Sequence, residues 1–375
     1  MLVETVPSGT ELGSADLPDT QPTWLELVEG AETSIDLGFF YAVEKEGSKL
    51  EEVWQAVERA GERGIRVRFL TDTVFEKTYP ESIARLVDAP TVEYRAYDMR
   101  EDTDGVMHAK YFVVDGRHSY VGSANFDWRS LEHIVELGVR LDSPELGRVF
   151  AWIFEHDWAL AGGETPPEWD AKSAPKFPVE LSFLGEPTRV WPAVSPPTRL
   201  GDPDWFDLPR LLAWIDTAES RVWLQAMRYR TIGYDKAYWH ELESALRRAA
   251  ARGVDVRLQV ADWCKERGYV EGLKSLAVLP NVDVHFVTVP EAPEGFISFA
   301  RVIHSKFLVV DDRRAWVGSS NASRSYFYKG RNVGVFLEGR RVNARLSRLY
   351  GDLWRSELSS AVDPAADYEP PTYRD

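Results

Sequence analysis

The stretch HAKYFVVDGRHSYVGSANFDWRS, residues 108–130, returns as HSKFLVVDDRRAWVGSSNASRSY, residues 304–326. In both copies His-x-Lys opens an apolar run, an aspartate stands five residues past the lysine (Asp115, Asp311), and Gly-Ser-x-Asn follows. Side chains alternate along a strand, so residues i and i+2 share a face. His108 with Lys110, and His304 with Lys306, are therefore predicted to point into the same space.

The similarity extends outward from this core. Ala31–Leu37 matches Ala218–Leu224, Leu50–Asp72 matches Trp239–Asp262, and Glu136–Leu141 matches Asn332–Leu337. The offset between copies grows from 187 to 196 residues, as a duplicated domain with small loop insertions requires. Each half reads alike. A helix with Leu50, Val53, Trp54 and Val57 at helical spacing stops near Gly64, and its counterpart stops near Gly253. An alternating strand follows (Ile65–Leu70, Val254–Leu258), then another near Val92 or Val282, the strand pair around His-x-Lys, and a last helix (Glu145–Leu160, Val342–Leu358). Strands alternating with helices predict α/β halves. The expected organisation is a first half at 1–165, a connector at 166–205 carrying nine of the 22 prolines from Gly162 onward and a strand at Val179–Gly185, a second half at 206–362, and a loosely held tail at 363–375.

Composition narrows the class. With 44% apolar and 12% aromatic residues the 375-residue chain is a folded globular protein. No apolar run reaches the roughly 18 residues that span a bilayer, and no secretory leader is visible, so cytoplasm and a trimmed secreted form both stay open. Cys264 is the only cysteine, so neither an intrachain disulfide nor a Cys-based metal site is expected. A net charge of −16 argues against broad affinity for nucleic acid. It permits a local basic pocket, since distant charge is screened beyond roughly 8 Å.

Two His, two Lys and two Asn around one phosphate suit cleavage of a phosphodiester in two steps. One imidazole attacks phosphorus and the other protonates the leaving oxygen. The ammoniums of Lys110 and Lys306, with Asn125, Asn321, Ser123 and Ser319, are the expected phosphate ligands. No metal or other cofactor is required. Asp115 and Asp311 fall on the other side of the strand and are read as structural, holding the loop through a buried salt bridge. Phe40, Tyr41, Trp128, Tyr326, Phe327 and Tyr328 are candidates to stack on bases. His118, His133, His156, His240 and His285 have no partner pattern.

HxKxxxxD followed by GSxN, occurring twice, resembles the phospholipase D superfamily. LVETVPSG (2–9), GSANFDWRSLEHIVELGV (122–139), ARVIHSKF (300–307) and GSSNASRSYF (318–327) are most similar to its branch of endolysosomal 5′ exonucleases and their poxvirus relatives. The resemblance implies two phospholipase D-like α/β/α sandwich halves packed by pseudo-two-fold symmetry about one shared active site. It implies a covalent phosphohistidine and a single-stranded DNA or RNA substrate, with a phospholipid, cleaved or transferred, as the alternative. The related exonucleases suggest a homodimer, although one chain suffices for catalysis. The anchor and disulfides of the animal members have no counterpart here. Glu136, facing Asn332 in the repeat, is by resemblance the partner of a catalytic imidazole. A carboxylate there would stabilise a phosphoimidazolium, which favours His108 as nucleophile and His304 as acid; a carboxylate equally raises an imidazole pKa, which favours the acid role for its partner.

Overall fold

The computed structural model describes residues 1–233 and 236–374. The duplicated sequence folds into two mixed sheets. In spatial order the first runs Leu2–Thr5, Glu136–Asp142, His118–Gly122, Lys110–Val114, Ser34–Phe39, Arg66–Asp72, Val92–Tyr97. The second runs Val179–Phe183, Glu186–Ser195, Asn332–Glu338, Arg314–Gly318, Phe307–Val310, Arg221–Ala226, Asp255–Ala261, Val282–Val287, Ser359–Ala361. From Glu136–Asp142 and from Asn332–Glu338 onward, six strands repeat in the same order. The last three are parallel, their βα crossovers using the helices Lys49–Glu62 and Glu241–Ala251.

Each sheet is covered on both faces. On the outer face of the first, Trp24 and Leu27 of the helix Thr20–Glu29 and Leu50, Trp54 and Val57 of Lys49–Glu62 bury against the sheet. On its inner face Val113, Val121 and Val139 join Phe150 of the helix Pro144–Ala161. Val309, Val317 and Val335 of the second sheet close the same core. The halves thus share one apolar layer, and two α/β/α sandwiches meet across it. Burying such a layer stabilises at about 25 cal/mol per Å² of apolar surface.

Two expectations need correcting. The stretch 179–195 is not a connector with one strand but a hairpin, Val179–Phe183 with Glu186–Ser195, whose second strand lies inside the sheet. Proline density misleads here because each ring sits where no N–H is needed. Pro192 pairs with Val335, beyond the end of its other neighbour at Val179↔Val190, and Pro187 precedes the first pair with the strand Asn332–Glu338, Arg189↔Glu338. The tail is also held: the Tyr373 ring stacks on Trp263 at 4.2 Å, and its carbonyl accepts from Phe299 N–H at 2.7 Å.

One ion pair locks the halves together. Arg331, fully buried, donates two bonds of 2.7 Å to Asp157 on the helix Pro144–Ala161, and to the carbonyls of Ser195 and Arg199. Removing one partner leaves a buried charge, at a cost of about 3–5 kcal/mol. Asp157→Asn is therefore expected to lower the urea midpoint sharply, and Asp157→Leu with Arg331→Met to recover much of it; equal loss in both proteins would show that the charges do not act as a pair.

Candidate active site

The two half-sites interlock through backbone. Val135 N–H donates to the Val302 carbonyl at 3.0 Å, and His304 N–H to the Val135 carbonyl at 2.9 Å. Across the pseudo-two-fold, Arg331 N–H donates to the Val106 carbonyl at 2.9 Å. The residue ahead of Glu136 is thereby clipped to the chain entering His304, and the residue ahead of Asn332 to the chain entering His108. Each histidine takes its partner from the opposite half. His304 Nδ1 meets Glu136 at 2.9 and 3.0 Å, and His108 Nδ1 meets Asn332 Oδ1 at 3.0 Å.

These partners fix the tautomers. Asn332 Nδ2 donates to the Tyr326 carbonyl at 2.8 Å, so its Oδ1 accepts from Ser319 Oγ at 3.0 Å and from the His108 ring. Glu136 accepts from Ser123 Oγ at 2.5 Å and from Ser130 Oγ at 3.0 Å. In both rings Nδ1 carries the proton and Nε2 keeps its lone pair. Lys110 and Lys306 are fully buried, and each ammonium donates to the carbonyl of its own motif histidine.

Four groups that are cationic only when protonated lie within each other's fields, beside one carboxylate, and the charge state follows. Burial, then the fields of Lys110, Lys306 and His304, holds His108 well below its ordinary pKa. Burial lowers His304 to about 4 despite Glu136. Burial brings Lys306 down to about 7, against Glu136 and with help from Arg228, and depresses Lys110 strongly. Burial pushes Glu136 up, but His304, Lys306 and Ser123 outweigh it, so the carboxyl is ionised. Burial and mutual repulsion hold the protonation of these groups down, and an entering anion would raise it.

The sequence-derived residues separate into groups. His108, Lys110, His304, Lys306 and Glu136 converge. Glu136 faces His304 rather than His108, so the premise that it stabilises a phosphorylated His108 is corrected. Ser123 and Ser319, expected on phosphate, stand behind the imidazoles. Their hydroxyls donate to Glu136 and Asn332 and accept from Leu137 N–H and Val333 N–H, at 3.0 and 3.1 Å. Asn125 is buried, its Oδ1 without a hydrogen-bond partner among the described residues, and Asn321 Oδ1 accepts from Arg228 N–H at 3.2 Å. Asp115 holds its loop through the N–H groups of Glu32, Thr33 and Ser34, not through a buried salt bridge. Asp311 does the same at Glu219 and Ser220 and adds a half-buried pair with Arg314 at 2.7 Å. A left-handed φ near 54° in both hairpins aims these carboxylates at the amides, and Asp tolerates it. Of the aromatics, Phe40 and Tyr326 flank the His108 ring at 5.0 and 4.8 Å, whereas Phe327 is buried in the core. Ser130 and Arg228 were missed. Ser130 matches Tyr326 in the repeat, and Arg228 lies 76 residues before His304, outside any motif.

Residues 25–158 and 211–354 each match the family described as cardiolipin synthase, phospholipase D-like domain. The chain is similar to the 5′-3′ exonuclease PLD3 of Rattus norvegicus, at 32% identity over 98% of this chain and 81% of that one. It is similar to the 5′-3′ exonuclease PLD4 of Mus musculus at 30%, over 97% and 79%. Among solved structures, the phosphatidylserine synthase of Haemophilus influenzae shares the fold, with a TM-score of 0.63 at 14% identity over 93% of this chain and 86% of that one.

With Lys306 near 7, an anion meets an ammonium below that pH and must recruit a proton above it. Sulfate is expected to bind more weakly by up to about tenfold per pH unit above 7, and Lys306→Met should flatten the profile. Calorimetry in buffers of different ionisation heat reads the proton uptake; affinity independent of pH from 6 to 9 would contradict it.

Proposed function

The chain belongs to the phospholipase D superfamily, in the branch of the 5′-3′ exonucleases, and from that premise we propose that it is a 5′ exonuclease of single-stranded nucleic acid working through a covalent phosphohistidine. One observation carries the reading: two imidazoles with free Nε2 lone pairs, each oriented by the opposite half, stand with two buried lysines in one volume.

Glu136 decides the roles. Of the two rings His304 keeps a proton more readily, because it alone has a carboxylate behind it. A histidine braced by a carboxylate is the usual acid–base partner of a nucleophile. His108, backed by a neutral amide, is the nucleophile. Its Nε2 attacks phosphorus, the P–O bond to the leaving nucleotide oxygen breaks, and His304 delivers its proton to that oxygen. Water then attacks phosphorus, His304 takes the water's proton, and the P–N bond breaks. Lys110, Lys306 and the amides of Asn125 and Asn321 hold the nonbridging oxygens while charge builds on them. The ammoniums do the work that a metal does in other phosphodiesterases, so activity is expected to survive a chelator.

The reading needs one chain only. Sedimentation decides separately whether the homodimer implied by the resemblance forms. The phospholipid alternative draws on the family's lipid-directed members. A 5′-hydroxyl oligonucleotide and phosphatidylcholine vesicles, assayed in parallel with chelator, are expected to give shortened strands and intact lipid; lipid cleavage alone would reverse the assignment.

An aryl phosphodiester has a leaving group that needs no proton. With it, His304→Ala is expected to form the phosphoenzyme and stall, visible as a stoichiometric burst and a mass increment on the peptide containing residue 108. His108→Ala should show neither. A burst from His108→Ala with the adduct on residue 304 would exchange the roles.

A further inference from the structure

The pseudo-two-fold is broken where it matters for a directional substrate. The strands Ser34–Phe39 and Arg221–Ala226 are equivalent, and each leads through two residues into a short bridge. Ala42–Val43 pairs with Phe126–Asp127, and Tyr229–Arg230 with Ala322–Ser323. The two intervening residues are Phe40-Tyr41 in the first half and Met227-Arg228 in the second. On one side Phe40 lies against His108, and Phe40, Tyr41, Phe75 and Tyr79 interlock at 4.8 to 5.6 Å in an aromatic wall. On the other, the same position supplies a guanidinium.

Arg228 borders a cavity of about 360 Å³, also lined by Arg100, Arg230, Tyr269 and Tyr326. Tyr326 joins cavity and chemistry, since its ring meets His108 edge-on at 4.8 Å. The carboxylate in the lining, Asp104, is already neutralised by Lys329, and Arg100 by Asp98. Arg228 lies over the Tyr269 ring at 5.4 Å and donates to its hydroxyl at 3.3 Å; among the described residues no carboxylate comes within ion-pairing distance of it. Its backbone N–H is tied to Asn321 of the Gly-Ser-Ser-Asn loop, and its charge reaches Lys306. A half-buried guanidinium with no carboxylate partner among the described residues, beside the proposed phosphate site, can accept an anion.

We propose that this cavity binds the internucleotide phosphate next to the scissile one, with Arg228 as its ligand. The strand then runs from the aromatic wall, past the His108 ring that Phe40 and Tyr326 flank, into the arginine pocket. This deepens and rests on the exonuclease reading. It makes the enzyme selective for a chain over an isolated diester, because only a chain presents a second phosphate at the required spacing. A guanidinium–phosphate contact forks two N–H donors onto two oxygens and is stronger than a neutral hydrogen bond.

The test compares kcat/KM for the first cut of a 5′-hydroxyl thymidine trinucleotide, which has two phosphates, with that of the dinucleotide, which has one. The wild-type ratio is expected to be about 10 or more, as a charged hydrogen bond supplies. Arg228→Gln should bring the ratio near one, and Arg228→Lys should keep part of it. A salt titration of the wild type needs no variant: log kcat/KM should fall more steeply with log salt for the trinucleotide. A wild-type ratio near one, equal salt slopes, or an undiminished ratio in a folded Arg228→Gln would each overturn the pocket while leaving the exonuclease standing. Cleavage of neither oligonucleotide would overturn both.

Discussion

The structure depends on an exchange: each motif imidazole is oriented by a side chain from the other half. The exchange is made by main chain before any side chain acts, through the bonds of Val135 with Val302 and His304, and of Arg331 with Val106. Once these clips close, Glu136 can only stand behind His304 and Asn332 behind His108. The buried Arg331–Asp157 pair and the shared apolar layer then hold the register. A half on its own would present a histidine with no tautomer control and a lysine buried beside nothing.

The electrostatics explain why such an arrangement is useful without substrate. Burying two imidazoles and two amines beside one carboxylate costs their charged forms more than Glu136 returns, so the site sheds protons: His304 falls to about 4 and Lys306 to about 7. A phosphodiester entering this volume restores those charges while placing itself among them. On the proposed mechanism, binding and activation of the acid are then one event, with Glu136 favouring His304 as the group that takes the proton.

Much of this was legible in the sequence, for identifiable reasons. The repeat and the i, i+2 spacing of His108 with Lys110 and His304 with Lys306 dictate two strands facing a common space, and the sheets follow. What stayed hidden depends on contacts between segments far apart in sequence. Nothing in ELGVRL or NVGVFL says that Glu136 crosses to the other half. The Ser123 and Ser319 hydroxyls look free until the backbone of Leu137 and Val333 is seen to use them. Pro192 reads as a strand breaker until its neighbouring strand is seen to stop at Val179, opposite Val190. Arg228 belongs to no motif, yet comparing the repeats at Tyr41 exposes it as the point where the copies diverge in charge.

The link between the halves adds a further consequence. Residues 170–176 run mostly exposed, in no strand or helix, while the inter-half contacts are a buried ion pair, main-chain bonds and a continuous apolar layer. Covalent continuity and catalytic unity are therefore separable: a nick in that span would yield two polypeptides that stay clasped as one working particle, and two genes could supply what one now encodes.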